Sequence, residues 1–87
     1  MIYIYILKCA DNTFYTGITQ DIQVRLQQHN KKKVSYTRKR LPVTIIHTEQ
    51  RGTRSEAAKH ERKIKNLGAK KYLIRNFANV NDNFIHL

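Results

Sequence analysis

Ile2, Ile4 and Ile6 alternate with Tyr3, Tyr5 and Leu7 near the start of this chain. A period of two marks a strand, because successive side chains leave an extended backbone on opposite faces. One face is aliphatic throughout, and the other carries two phenols whose hydroxyls need partners wherever that face is covered. A lone strand has no independent stability, so this one must find a neighbour. The polar group Ala10 to Thr13, with Asp11 and Asn12, supplies turn chemistry, and Phe14 to Ile18 reads as the second strand of a hairpin.

Beyond the hairpin the period changes. Ile22, Leu26 and His29 recur at helical spacing between Asp21 and Asn30, after the potential caps Thr19 and Asp21. Lys31 to Arg40 is polar and basic, and Pro42 disfavours helix in the residue before it, which predicts a loop. Val43 to Glu49 has the β-branched content of a third strand. Thr53 followed by Glu56 fits a capping box that opens a helix from Arg54 to Leu67, with Gly68 to end it. A last helix from Ala69 to Asn79 would bury Leu73, Phe77 and Ile74. The expected order is β-β-α-β-α-α.

No repeat, low-complexity tract or linker divides the chain, so residues 1–80 read as one domain and 81–87 as a tail. At 87 residues it can bury one modest core. Cys9 is the only cysteine, so neither an internal disulfide nor a structural zinc site reinforces that core. The run Ile2 to Leu7 is too short for a secretory signal or a membrane span and is interrupted by tyrosines. These features predict a soluble, cytoplasmic protein held together by packing.

Seventeen Lys and Arg against six Asp and Glu give a formal net charge of +11, far beyond what solubility asks of so small a domain. A polyanion is the natural partner. Membrane surfaces attract basic proteins too, but through amphipathic helices with a bulky free apolar face, and no segment here has one. Nucleic acid is the expected partner, with a merely solvated basic surface as the alternative.

Phosphodiester chemistry calls for a divalent cation or an equivalent charge, and such cations favour carboxylates. Of the six acids, Asp11 sits in a turn, Asp21 and Glu56 at helix starts, Glu49 at a strand end and Asp82 in the tail. Glu61 instead lies between Ala57 and Ile64 on the helical wheel, leaning toward the interior or a cleft. It is a candidate metal ligand, or else half of an i, i+4 pair with Lys65. Arg25 and His29 border the core-facing stripe of the first helix. They could clamp a phosphate and move a proton, or simply snorkel past the core and satisfy the helix end. Tyr3, Tyr5 and Tyr15 crowd one hairpin, and a tyrosine acting as base would need cationic neighbours such as Arg25, or a metal, to lower its pKa. The basic loop, with Lys31, Lys32, Lys33, Arg38, Lys39 and Arg40 around Tyr36, suits phosphate contacts and base stacking, or a solvated loop.

Taken together, Tyr3-Ile4-Tyr5, Tyr15-Thr16-Gly17, Arg25, His29, and Glu61 after Ser55-Glu56-Ala57 resemble the GIY-YIG nuclease superfamily, specifically its small stand-alone bacterial branch. Nine residues separate Tyr5 from Tyr15, and Arg25 follows Gly17 by eight, intervals similar to those of the family's excision-repair nuclease domain. The resemblance implies an α/β fold of the α+β kind, a three-stranded antiparallel sheet flanked by helices. It also implies roles for the residues. Tyr5 and Tyr15 would line the catalytic cleft, Arg25 would bind the scissile phosphate, His29 would assist activation of water or Tyr5, and Glu61 would hold one Mg²⁺ or Mn²⁺. The activity implied is single-metal hydrolysis of phosphodiester bonds, in DNA rather than RNA, by water with Tyr5 as base and without a covalent intermediate. With no appended domain, substrate choice would rest on nucleic-acid structure or on a protein partner for targeting. The rival reading is a nucleic-acid-binding module that keeps the fold without useful catalysis.

The sequence departs from the family pattern in three places. The first motif lacks its glycine, Thr16 replaces an isoleucine, and Leu73 stands where many family nucleases have an asparagine beyond the metal glutamate. The hairpin must also meet a condition. Tyr5 and Tyr15 share a face only if paired residue numbers sum to an even number, which requires an odd-length loop or a bulge around Asp11.

Overall fold

The computed structural model describes residues 1–77. Its elements are β1 (Ile2–Lys8), β2 (Phe14–Thr19), α1 (Ile22–Asn30), β3 (Thr44–Arg51), α2 (Arg54–Leu67) and α3 (Ala69–Phe77). The strands form one antiparallel sheet in the order β2-β1-β3, so the alternating N-terminal strand lies at its centre. The expected β-β-α-β-α-α order is the one observed. The first strand's two faces each become a core.

On one face, Ile2, Ile4 and Ile6 meet Ala57 and Ile64 of α2 and Tyr72 and Leu73 of α3. Ile4, Ile6 and Ile64 are fully buried, and burying a side chain of that size contributes roughly 1.5–3 kcal/mol each. On the other face, Tyr5, Leu7, Cys9 and Val43 are covered by Ile22 and Leu26 of α1 and by Leu41 and Ile45. The sheet therefore separates an aliphatic layer under α2 and α3 from a phenol-bearing layer under α1.

Hairpin register decides what the second layer contains. Lys8 pairs with Phe14, leaving a five-residue loop from Cys9 to Thr13 in which Asn12 takes a φ of 67° and Cys9 N–H donates to the Thr13 carbonyl at 2.8 Å. An odd loop makes Tyr5 pair with Gly17 and Leu7 with Tyr15, so both tyrosines lie on the α1 face. The parity condition is met.

β3 runs two residues past its expected end, because Gln50 and Arg51 continue the pairing with Tyr3 and Ile2. A register shift at Ile6/Leu7 lets Ile46 join the aliphatic layer. Asp21 caps α1 by accepting from Val24 N–H, and Thr53 caps α2 by accepting from Glu56 N–H. Gly68 ends α2 with a φ of 96°, a conformation that favours glycine. In α3 the buried residues are Tyr72 and Leu73, with Phe77 packed against them. The expected extension to Asn79 and the tail with Asp82 lie outside the described residues. Among those described, no helix is long and apolar enough to cross a membrane.

Candidate active site

The centre of the site is built by the hairpin alone. Tyr5 is buried, and its ring lies across Gly17 on the neighbouring strand. A Cβ added to Gly17 would stand 2.5 Å from the Tyr5 hydroxyl, 2.7 Å from Cζ and 3.0 Å from the Tyr15 ring. The glycine is thus required by close approach of a side chain, which explains it at the end of Tyr15-Thr16-Gly17. Tyr15 packs beside Tyr5 with ring centroids 6.1 Å apart.

α1 closes the site from above. Arg25 Nε donates to the Tyr5 hydroxyl at 3.1 Å, and His29 Nε2 hydrogen-bonds the same hydroxyl at 3.0 Å. His29 is completely buried, and its ring meets the edges of both Tyr5 and Tyr15. The four-residue spacing of Arg25 and His29 therefore brings both onto one phenol. Neither does what its position alone suggested, since Arg25 turns inward to Tyr5 and to Gln28 Oε1 at 2.8 Å, while the His29 ring points away from the helix end.

These contacts set the proton inventory. Burial pushes the Tyr5 phenol up to about 12, with the Arg25 hydrogen bond working against that rise. The lowering that a tyrosine base would need from a neighbouring cation is present in direction, but desolvation of the phenolate outweighs Arg25. Burial, aided by the Arg25 charge, pushes His29 down to about 4. At neutral pH the pair is consequently a protonated phenol against a neutral imidazole, and the imidazole is the group able to take a proton.

The basic loop is pinned to this centre. Thr37 is fully buried and its hydroxyl lies 2.7 Å from His29 Nδ1. Tyr36 stacks on Tyr15 with centroids 5.7 Å apart, and Arg40 lies 4.3 Å over the Tyr36 ring while pairing with Asp11 at 2.9 Å. Tyr36 keeps an exposed face, and Lys31, Lys32, Lys33, Arg38 and Lys39 are exposed around it. Arg40 is committed to holding the loop against the hairpin turn. Thr37 is absent from the sequence reading, because a threonine in a cationic loop carries no periodicity that would mark it as buried.

Glu61 approaches from α2. Its side chain is 22 % exposed and its carboxylate pairs with Lys65 at 3.5 Å. The Lys65 ammonium in turn lies 5.9 Å from the Tyr15 ring, so Glu61 is linked to that tyrosine through Lys65. Tyr15, Tyr36 and Lys65 line a cleft of about 330 Å³ there. Among the described residues no group of three or more His, Cys, Asp or Glu side chains is arranged to hold a metal ion by itself. A single accessible carboxylate still fits Mg²⁺, which keeps most of its waters and binds through one or two carboxylates together with substrate phosphates. Leu73, which stands where the resemblance led to an expected asparagine, is buried in the aliphatic core.

A second polar cluster escaped the sequence reading. Glu49 accepts from Tyr72, pairs with His47 at 2.8 Å and His60 at 3.1 Å, and binds Arg51 at 3.0 Å. Burial opposes its ionisation, but the hydrogen bonds from Tyr72 and His47 and the nearby histidine charges hold it down to about 2. The signal was the alternation His47, Glu49, Arg51, which puts three polar side chains on the face of β3 that α2 and α3 cover.

Comparison with known proteins identifies the family and the fold. The sequence model of the GIY-YIG catalytic domain matches residues 1–73. A UPF0213 protein of Halobacterium salinarum is 46% identical over 68 residues, spanning 77% of this chain and 88% of that protein. One from Listeria monocytogenes is 44% identical over 77 residues, spanning 84% and 86%. Among solved structures, the solution structure of an E. faecalis protein aligns with a TM-score of 0.60 at 39% identity, covering 91% of this chain and 88% of that one. The UPF0213 protein of Bacillus halodurans aligns with a TM-score of 0.52 at 36% identity, covering 83% and 79%.

Proposed function

This chain belongs to the GIY-YIG family of nucleases, and on that premise we propose that it is a metal-dependent endonuclease hydrolysing phosphodiester bonds in DNA, directed by nucleic-acid structure rather than sequence. The observation that carries the reading is the convergence of Arg25 and His29 on the Tyr5 hydroxyl beside Tyr15, from two elements whose register and helical spacing are both needed to assemble it. A buried phenol held between a permanent cation and a neutral imidazole is an arrangement for passing protons next to an anion.

In this reading Arg25 spends Nε on Tyr5 and Nη1 on Gln28, and turns its remaining N–H donors to the scissile phosphate. Tyr5 takes a proton from the attacking water while passing its own to His29 Nε2, so the phenolate need never stand free against a pKa near 12. Tyr15 supplies a wall that positions the phosphate against Tyr5. Glu61 would hold one Mg²⁺ or Mn²⁺, which would stabilise charge on the leaving oxygen. Lys31, Lys32, Lys33, Arg38 and Lys39 contact the backbone on either side, and Tyr36 offers a ring for an unpaired base.

Leu73 favours a second reading, a binding module without effective cleavage, since the core occupies the place of a site amide. One experiment separates them. The purified protein is incubated with branched, flapped and single-stranded DNA and RNA in Mg²⁺ or Mn²⁺, beside Glu61→Ala and Tyr5→Phe. Cleavage of branched DNA lost in both variants supports the nuclease. Binding without cleavage by the unmutated protein would establish the module instead.

A further inference from the structure

We propose that Thr37 is a positioning residue that locks His29 in the tautomer protonated at Nδ1, so that the basic loop sets which side of the imidazole faces Tyr5. The catalytic consequence rests on the nuclease reading above; the tautomer itself does not.

Four buried or half-buried groups, Arg25, Tyr5, His29 and Thr37, share a single line of hydrogen bonds. Arg25 can only donate, so its Nε–H uses one acceptor position of the Tyr5 hydroxyl. Tyr5 then has one proton to give, and His29 Nε2 at 3.0 Å is placed to receive it. That requires Nε2 to be bare and Nδ1 to carry the hydrogen. Nδ1–H donates to Thr37 Oγ1 at 2.7 Å, and the Thr37 hydroxyl passes its own hydrogen toward the Val34 carbonyl at 3.5 Å. Tyr5, His29 and Thr37 then each donate once and accept once. In the reverse arrangement Tyr5 would receive two hydrogens and have to turn its own toward Tyr15, while Val34 would lose the Thr37 donor.

Geometry makes Thr37 the fixed member of this chain. It is completely buried, and the loop is fastened on both sides of it. Arg38 N–H donates to the Val34 carbonyl at 3.0 Å and Arg40 N–H to the Thr37 carbonyl at 2.8 Å. Tyr36 before it stacks on Tyr15, and Arg40 after it reaches Asp11. His29 has no exposed edge through which solvent could supply a competing donor. The arrangement follows the logic by which a third residue orients a catalytic histidine, with a hydroxyl in the place usually taken by a carboxylate. A hydroxyl orients the ring without stabilising an imidazolium, which agrees with the neutral state that burial gives His29.

Two-bond ¹H–¹⁵N correlation spectra of the imidazoles at neutral pH test this without any substrate. His29 of the unmutated protein is expected as Nδ1–H with a bare Nε2, Thr37→Ser is expected to retain that pattern, and Thr37→Val to mix or reverse it. Cleavage of branched DNA should fall at least about tenfold in Thr37→Val and recover in Thr37→Ser. An unmutated His29 protonated at Nε2 overturns the inference, and so does a folded Thr37→Val that keeps the Nδ1–H form. The unmutated and Thr37→Ser spectra decide the matter even if Thr37→Val does not fold. Loss of the nuclease reading would show separately, as a correct tautomer pattern in a protein that cleaves nothing.

Discussion

Gly17→Ala is the smallest change that reaches the centre of the site. The new methyl would overlap the Tyr5 hydroxyl at 2.5 Å and Cζ at 2.7 Å, distances that force a shift. Tyr5 is buried under α1 and cannot swing aside without losing His29 and Arg25. Overpacking of a filled site costs about 1–3 kcal/mol. Loss of the two hydrogen bonds adds about 1 kcal/mol each, and the stiffer unfolded chain returns about 0.4–1 kcal/mol. The net expectation is a destabilisation of about 3 kcal/mol, a fall in melting temperature on the order of 15 °C for a domain of this size. Gly52→Ala is the matched control, because its Cβ would meet nothing nearer than Glu56 Oε1 at 3.8 Å, and it should change stability by less than about 0.5 kcal/mol. Urea unfolding of the two variants, with Tyr5→Phe and the Gly17→Ala/Tyr5→Phe double variant, gives the measurement. The double variant should be less than additive by about 1–2 kcal/mol, since the Tyr5 hydrogen bonds can be lost only once. If Gly17→Ala unfolds with Gly52→Ala, the close approach is not what fixes the glycine.

Two further outcomes follow from the electrostatics. The His29 pKa is depressed from 6.5 to about 4, so its neutral form contributes stability that is fully present above pH 6.5 and is lost as pH falls toward 4, where the unfolded chain takes up the proton first. The displacement corresponds to roughly 3 kcal/mol, and the stability difference between the unmutated protein and His29→Asn should narrow by up to that amount across this window; parallel pH profiles would refute it. Lys65→Gln removes the ammonium that competes for Glu61, an exposed i, i+4 pair worth about 0.3–0.5 kcal/mol, so Mn²⁺ affinity followed by paramagnetic relaxation should rise about twofold. Weaker Mn²⁺ binding in that variant would show that Lys65 supports the metal site and does not compete with it.

The fold was legible because its cues are local. Alternation in Ile2 to Leu7, the Thr53 and Glu56 capping box and Gly68 each act within a few residues, and the elements they announce are the elements observed. The condition on Tyr5 and Tyr15 could be stated from parity, but its outcome depended on the loop length between Lys8 and Phe14, which sequence left open. Thr37 and the Glu49 cluster were not legible, because each joins residues far apart in the chain and depends on burial supplied by another element. Thr37 is buried only once α1 and the hairpin enclose the loop. Tyr72 becomes a partner of Glu49 only once α3 folds back across β3. The direction of the Tyr5 shift was hidden for the same reason, since cations near a phenol lower its pKa in water but a covering helix adds the larger opposite effect.

The distribution of acids bears most directly on where a cation would bind. Asp11 is held by Thr13 and Arg40 at the hairpin turn, while Asp21 and Glu56 close the first turns of α1 and α2. Glu49, read from the sequence as a strand-end acid, is the most heavily partnered acid described, enclosed by Tyr72, His47, His60 and Arg51 on the opposite side of the sheet from Tyr5. A divalent ion would have to break several hydrogen bonds to reach it, which is unfavourable for a group whose lone pairs are already satisfied. Glu61 alone among the described acids is paired only with a half-exposed lysine, and that lysine stands beside Tyr15. Excess positive charge around Tyr5 attracts phosphate, and phosphate arriving there would draw Lys65 away from Glu61 toward itself. Substrate binding would then free the carboxylate as it supplies the other oxygens a hard cation needs, so metal and nucleic acid should bind with positive coupling.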